Sequence, residues 1–175
     1  SSTNMKDFEN KTPKLNLFEF FKGETVAYGI FEDRFGKLRR QFRVKIKGSV
    51  EENTLTLDEK FIYDDGEKAT RIWKIKKINE NNNLIKYEGS AEDVEGLATG
   101  TSVGNALNWT YDIYLNIKGS NLKVKFNDWI YKQDSNIAIN RAYVSKFGID
   151  IGSVTLVFLR GQTAKTVSPL NMNSW

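Results

Sequence analysis

The chain has 175 residues, of which 39% are hydrophobic and 27% charged, and its net charge is +4. This length and balance suit one globular domain with a sizeable core. The sequence has no cysteine and no histidine, which excludes disulfides, thiol catalysis, zinc sites built on those residues and a Ser-His-Asp triad. Because acidic and basic residues are interspersed along most of the chain, we predict no nucleic-acid partner. We also predict no metal site and no cofactor.

Both ends of the chain are polar and flank a patterned centre. Residues 1–14 show no periodicity, so we predict a flexible N-terminal tether there. Residues 15–21, LNLFEFF, form a short apolar run that predicts a helical turn or a plug. We expect residues 15–160 to form a single β-barrel domain and residues 161–175 to form a C-terminal tail.

Between the ends, apolar and polar residues alternate, which predicts β-strands because successive side chains of a strand point to opposite faces. Clusters of glycine, asparagine and aspartate separate the segments. Segment 91–104 is rich in glycine, which marks a bulge or a close backbone approach. The predicted strand segments are 23–31, 38–46, 54–63, 71–78, 84–89, 91–104, 105–117, 122–131, 137–145 and 149–159.

Nine or ten strands with short turns, and no long amphipathic helix, predict an all-β fold. A sandwich and a barrel both fit this pattern. We favour an antiparallel up-and-down β-barrel of the lipocalin or calycin type, because a closed barrel pairs the edges of such long strands. A short helical or irregular segment is expected to precede the barrel.

Five charged residues interrupt the apolar faces of the predicted strands. Because an isolated buried charge is very unfavourable, we expect these side chains to pair with one another or to face a wet cavity. They are Arg40, Glu59, Arg71, Asp128 and Arg141.

Asp128 and Arg141 are predicted to be direct neighbours, since the turn KQDSN joins their strands. We place Ile139, Arg141 and Tyr143 on the inner face, which pairs Asp128 with Arg141 and keeps the apolar residues of both strands on one side. The register shifted by one residue pairs Asp128 with Ala142, and the hydrophobic pattern disfavours it.

The inward charges have two interpretations. They are either structural ion pairs that fix the strand register, or the polar floor of a ligand pocket with aromatic walls. For any single wall aromatic, Phe61 among them, the sequence favours ordinary core packing over a place in a pocket wall. The predicted ligand-binding residues of the pocket are Arg40, Glu59, Tyr63, Arg71, Trp73, Trp109, Tyr111, Asp128 and Arg141.

Other motifs carry weaker signals. Glu59 and Asp128 could act as a glycosidase acid–base pair, but two carboxylates on different strands are common by chance. Residues 63–67, YDDGE, lack the ligand spacing of a calcium loop and predict a tight turn. Residues 100–105, GTSVGN, are followed by neither a helix pattern nor a lysine, which excludes a phosphate loop.

Three segments in order resemble an uncharacterised family of bacterial lipoproteins, domain of unknown function 3833. They are LTLDEKFIYDDGEKATRIWKI, GSAEDVEGLATGTSVGNALNWTYDIYL and DWIYKQDSNIAINRAYVSKFGIDIGSVTLVF. The resemblance spans about residues 17–160. It implies an exported protein, lipid-anchored at the periplasmic face of a bacterial envelope membrane, with an N-terminal anchor that is absent from this chain. The family carries no established activity, so no catalytic residue is implied.

The leading hypothesis is a barrel that binds a small, partly apolar, lipid-like ligand. If the ligand has an anionic end, Arg71 and Arg141 would orient it, while Glu59 and Asp128 would hold these arginines in place. A structural or assembly lipoprotein of the cell envelope without a ligand is one alternative. An isomerase or hydrolase that uses Glu59 or Asp128 as its base is another. The sequence favours a binding protein over an enzyme.

Overall fold

The computed structural model describes residues 3–117 and 119–175, except for the side chains of Asn116 and Ile117. A 3-10 helix (Met5–Phe8) and helix α1 (Leu17–Phe21) precede the strands, and helix α2 (Gly161–Thr166) follows them. The strands are β1 (Gly23–Asp33), β2 (Leu38–Glu51), β3 (Thr54–Tyr63), β4 (Lys68–Asn81), β5 (Leu84–Ser90), β6 (Val94–Val103), β7 (Ala106–Ile117), β8 (Ser120–Lys132), β9 (Ile137–Lys146) and β10 (Ile149–Arg160).

Each strand pairs antiparallel with its neighbour in sequence, and β1 pairs with β10, so the sheet closes into a barrel. The predicted up-and-down barrel is therefore confirmed, and the short helical segment before it is α1. Among residues 3–117 and 119–175, no helix has the length and hydrophobicity needed to cross a membrane.

The alternating sequence pattern explains which side chains fill the barrel. In β2, Phe42, Val44 and Ile46 are buried, whereas Lys45 and Lys47 are exposed. The same period of two places the predicted apolar faces of β3, β4, β7 and β8 inside. The interior is therefore built mainly by strand alternation.

Helix α1 closes one end of this interior. The side-chain oxygen of Asn16 accepts hydrogen bonds from the backbone N–H groups of Phe18 and Glu19 at 3.1 and 3.2 Å, which starts the helix. Phe21 is only 3% exposed, and its ring meets the ring of Phe158 edge-on at 5.1 Å. The predicted plug is therefore present.

Gly48 allows α1 to lie directly on β2. A Cβ atom at this position would lie 1.7 Å from the carbonyl oxygen of Phe21, far inside van der Waals contact. The segment that leads into α1 is also held in place, because the hydroxyl of Ser102 donates a 2.6 Å hydrogen bond to the carbonyl of Leu15. The plug thus has one tightly defined position.

The predicted register between β8 and β9 is wrong by one residue. Asp128 lies opposite Ala142 rather than opposite Arg141. Arg141 therefore points away from the interior. On the outer surface it donates a hydrogen bond to the hydroxyl of Thr155, and its guanidinium lies 5.5 Å from the ring centre of Tyr143. The predicted interior position of Arg141 is corrected to the outer surface.

Side-chain volume explains this correction. Ile139 and Tyr143 are 37% and 47% exposed, although they are the more hydrophobic choice for the core. Barrel interiors commonly combine small and large residues so that the side chains fit. The large inner rings therefore favour the small side chains of β9, which are Ala138, Asn140, Ala142 and Val144.

Both terminal segments contact the barrel. The ring of Phe8 lies 5.7 Å from that of Tyr131, on the outer side of β8. In the C-terminal segment, Ala164 of α2 is buried, and Arg43 donates a 2.9 Å hydrogen bond to the carbonyl of Asn171. The division of the chain into tether, domain and tail stays a prediction.

We expect Gly48→Ala to lower the free energy of unfolding by about 1–3 kcal/mol, because the new methyl group must push the backbone of α1 away. Urea unfolding followed by circular dichroism measures this change. Ser49→Ala, at the exposed neighbouring position, is the matched control and should stay near the parent. Equal stability of the two variants would show that α1 does not rest on position 48.

Candidate functional site

The barrel end opposite α1 is reached by solvent. Several inward side chains at this end pack against the core but remain partly exposed, whereas Ile113, Val124 and Val144 beneath them are at most 2% exposed. We call this end the mouth. Its apolar lining consists of Phe31, Phe61, Tyr63, Tyr111, Leu115, Leu122, Phe126, Ile151 and Leu156.

Two stacked aromatic pairs face each other across the mouth. Phe61 and Tyr63 of β3 lie nearly parallel, with ring centres 6.2 Å apart. Tyr111 of β7 and Phe126 of β8 stack at 5.4 Å. Because β3 and β8 are five strands apart in a ring of ten, the two pairs form opposite walls.

Two tryptophans lie below these walls. Trp73 meets Trp109 edge-on at 5.6 Å and Tyr111 at 5.2 Å. Trp109 lies flat against the glycine-rich part of the barrel, since a Cβ atom on Gly100 would come within 2.3 Å of its ring. The close backbone approach predicted for segment 91–104 is therefore confirmed, and its partner is the Trp109 ring.

Arg71 is the central cation of the interior. Its guanidinium donates hydrogen bonds of 2.9–3.1 Å to both carboxylate oxygens of Asp93, and it lies 3.9 Å from Glu59. Burial lowers the pKa of Arg71, but the hydrogen bonds to Asp93 and the charge of Glu59 outweigh burial and raise that pKa. Arg71 is thus a permanent cation that is already engaged by a carboxylate.

Glu59 lies on β3, and its side chain is 13% exposed. Burial raises the pKa of Glu59 to about 7, since the lowering effect of Arg71 is opposed by the nearby carboxyl groups of Asp128 and Asp93. A carboxyl group with this pKa exchanges its proton near neutral pH. Glu59 can therefore both donate and accept a hydrogen bond.

Asp128 lies on the opposite side of the interior and is 8% exposed. Burial raises its pKa to about 6, although hydrogen bonds with the side chains of Tyr111 and Asn140 and the charge of Arg71 act to lower it. Burial and the charge of Asp128 in turn raise the pKa of Tyr111 well above its usual value. Asp128 and Tyr111 therefore form a hydrogen-bonded pair beside the tryptophans.

The interior has more carboxyl groups than cations. Glu59, Asp93 and Asp128 share it with Arg71. A fourth carboxylate from a ligand would add to this like-charge repulsion. The polar part of the site therefore suits a hydrogen-bond donor or a cation better than an anion.

Arg40 lies at the rim, on the inward-facing side of β2. Its guanidinium stacks over the ring of Tyr63 at 3.6 Å and donates hydrogen bonds to Asp65 and Glu67 of the β3–β4 turn. It contributes to the edge of the mouth, not to the polar cluster around Arg71.

Most of the predicted site residues come together. The interior contains Glu59, Tyr63, Arg71, Trp73, Trp109, Tyr111 and Asp128, while Arg40 is at the rim and Arg141 is outside.

Sequence reasoning missed three members of the site, namely Asp93, Asn140 and Phe126. Asn140 would have followed from the correct β9 register, and Phe126 already lay on the predicted inner face of β8. Asp93 lies in the turn between β5 and β6, and the strand pattern gave no signal for it.

A surface cleft lies on the barrel wall beside the mouth. The pairing of β4 with β5 begins at Lys74 and Ser90, so the β5–β6 turn meets the first half of β4 through side chains such as the Arg71–Asp93 pair. The cleft has a volume of about 390 Å³ and is lined by Thr70, Glu92, Asp93, Tyr114 and Asn121. Within residues 3–117 and 119–175, no group of three or more acidic side chains is placed to hold a metal ion.

The family described as "Protein of unknown function (DUF3833)" matches residues 1–160 of the chain. No curated protein matches this sequence. Among solved structures, the S-type phycobiliprotein lyase CPES from Guillardia theta is similar, with a TM-score of 0.59, 9% identity and coverage of 83% of this chain and 90% of the lyase. A de novo designed fluorescence-activating β-barrel is similar at a TM-score of 0.44, 10% identity and coverage of 84% of this chain and 99% of the design. The first of these supports the barrel fold.

We expect the stability of the fold to decline as the pH rises from about 4 to about 7. The raised pKa values of Glu59 (about 7) and Asp128 (about 6) mean that the folded state holds more protons than the unfolded state in this window. Urea unfolding at several pH values measures the trend. Glu59→Gln should flatten it mainly between pH 4.5 and 7, whereas Glu51→Gln, at an exposed position of β2, should keep the trend of the parent. A rise in stability attributable to Glu59 over this range would contradict its placement.

Proposed function

We propose that this chain, which belongs to the DUF3833 family, binds a small, partly apolar molecule at the mouth, where several inward side chains are partly exposed. The observation that carries the proposal is a set of partly exposed aromatic walls above a buried polar cluster. Ligand sites typically combine apolar walls with a few converging polar groups that orient the ligand.

The polar end of the ligand carries a hydrogen-bond donor or an amine. Arg71 is already bound by both oxygens of Asp93, which removes its main anion-binding geometry. Glu59 approaches Arg71 only to 3.9 Å, beyond hydrogen-bond distance, so its oxygens can accept from a ligand. An anionic end, the option favoured by an arginine-lined pocket, loses its support because Arg141 lies outside.

The aromatic walls fit the same ligand class. The Phe61–Tyr63 and Tyr111–Phe126 pairs line the mouth with partly exposed rings, and Arg40, stacked over Tyr63, shows that these rings accept a cation. Ring faces attract cations through their quadrupole, and flat rings also stack on aromatic ligands. A small aromatic or aliphatic amine, or the corresponding alcohol, is therefore the best match.

The cellular setting is part of the proposal. The resemblance to bacterial lipoproteins supports a lipid-anchored position at the periplasmic face of an envelope membrane. Fractionation of the full-length protein expressed in its host tests this: recovery in the membrane fraction supports it, and recovery in the soluble cytoplasm overturns it.

A second candidate function is acid–base catalysis on the bound molecule. The observation that favours it is the pKa of about 7 at Glu59, because a general base works best when its pKa is near the operating pH. A bound molecule that is recovered chemically changed from the parent, and unchanged from Glu59→Gln, would select this candidate over simple binding.

We expect 1-naphthylmethylamine and 1-naphthalenemethanol to bind the mouth and 1-naphthoate to bind at least tenfold more weakly, because the carboxylate meets the acidic cluster. Calorimetric titration measures the three affinities. Glu59→Gln should weaken binding of the amine by about tenfold, the size of one lost charge-assisted hydrogen bond. Glu51→Gln, at an exposed position of β2, is the control. Strongest binding of the carboxylate, or no binding of any probe, would contradict the proposal.

A further inference from the structure

Two turns at the mouth end of the barrel present fully exposed phenylalanines. Phe35 in the β1–β2 turn is 81% exposed, and Phe147 in the β9–β10 turn is 90% exposed. The two turns are neighbours, since β1 and β10 pair as far as Asp33 and Gly152. Large apolar side chains at adjacent turn tips form an exposed patch that points away from the barrel. Exposed apolar patches commonly mark interaction sites. We call Phe35, Phe147 and their flanking residues the tip patch.

The backbone at Phe147 shows that this residue is not placed there for the stability of the turn. The two-residue turn between Lys146 and Ile149 has positive φ angles at both Phe147 (52°) and Gly148 (76°). Asparagine or glycine is strongly preferred at the first of these positions, and a bulky residue there is strained. A strained and exposed phenylalanine points to a contact made outside the chain.

The β1–β2 turn is held so that Phe35 projects. The carboxylate of Asp33 accepts hydrogen bonds from the backbone N–H groups of Phe35 and Lys37 at 2.9 and 3.0 Å, and from Arg39 at 2.8 Å. This network fixes the turn without covering the ring of Phe35. The phenylalanine is thus presented by an ordered support.

Basic side chains accompany both rings. The guanidinium of Arg34 lies 4.8 Å from the ring centre of Phe35, and the ammonium of Lys146 lies 4.4 Å from that of Phe147. Lys37 adds a further cation to the first turn, while Asp33 is engaged by Arg39. Glu32 and Asp150 also flank these turns, so the tip patch combines apolar tips with four basic and three acidic side chains and is weakly positive.

We propose that the tip patch docks the barrel, mouth first, on the surface of an anionic lipid bilayer. Aromatic tips partition into the headgroup region, while nearby lysine and arginine are attracted to anionic headgroups. On the other side of the mouth, the β3–β4 turn carries Asp64, Asp65 and Glu67. The protein therefore meets the bilayer tilted onto the β1–β2 and β9–β10 turns. The proposal does not depend on the ligand proposed above.

Flotation with lipid vesicles tests the proposal. We expect the protein to float with vesicles of phosphatidylcholine containing 30 mol% phosphatidylglycerol. Binding to phosphatidylcholine alone should be about fivefold weaker, since one net positive charge near an anionic surface contributes about this factor. Removing both tips in Phe35→Ser/Phe147→Ser should weaken binding to the anionic vesicles about tenfold or more.

The matched control removes two exposed isoleucines from the outer face of β4, in Ile72→Ser/Ile78→Ser, and should bind like the parent. Arg34→Glu/Lys37→Glu provides a second test that leaves both rings in place and should also lose binding. Thermal unfolding verifies that every variant is folded. Three results would overturn the proposal. The parent fails to bind anionic vesicles, which would favour a protein partner instead; the tip variants bind as well as the parent; or the β4 control loses as much binding as the tip variants.

Discussion

The carbonyl oxygen of Phe21 lies where a side chain at position 48 would have to be, so helix α1 can rest against β2 because residue 48 is glycine. This contact places Phe21 against Phe158 and fills one end of the barrel with side chains. In this barrel, α1 fills one end, and the charged and partly exposed inward side chains lie toward the other end. The position of the mouth therefore follows from the position of the plug.

The charges inside the barrel follow from the same asymmetry. Next to α1, inward positions are buried and uncharged, whereas nearer the mouth the chain has Glu59, Arg71 and Asp128. These groups are tolerated because they pair with one another and with Asp93, Tyr111 and Asn140, and because Glu59 and Asp128 can hold their protons near neutrality. Replacing such a network with apolar residues often leaves stability unchanged or higher, so a role in recognition gives the better reason for its presence.

The fold and much of the site were predictable from the sequence because strand alternation is a strong signal. It placed Glu59, Arg71 and Asp128 on inner faces, and all three point inward. The same reasoning failed in β9, where Ile139 and Tyr143 are more hydrophobic than Ala138 and Asn140 but lie outside. Hydrophobicity alone does not report the space left by aromatic rings on other strands, so the register was shifted by one residue. The role of Asp93 could not be predicted from the sequence, because it depends on the contact of the β5–β6 turn with Arg71 of β4.

The function proposed for the mouth is to hold a small molecule with a hydrogen-bond donor or an amine at its polar end. Native mass spectrometry of the protein purified from its own host tests this claim most directly. We expect one non-covalent adduct per chain, with a neutral or amine-bearing molecule, and a smaller adduct fraction in Glu59→Gln than in the exposed-site control Glu51→Gln. A ligand-free protein, or an adduct with a carboxylate or phosphate compound that persists in Glu59→Gln, would contradict it.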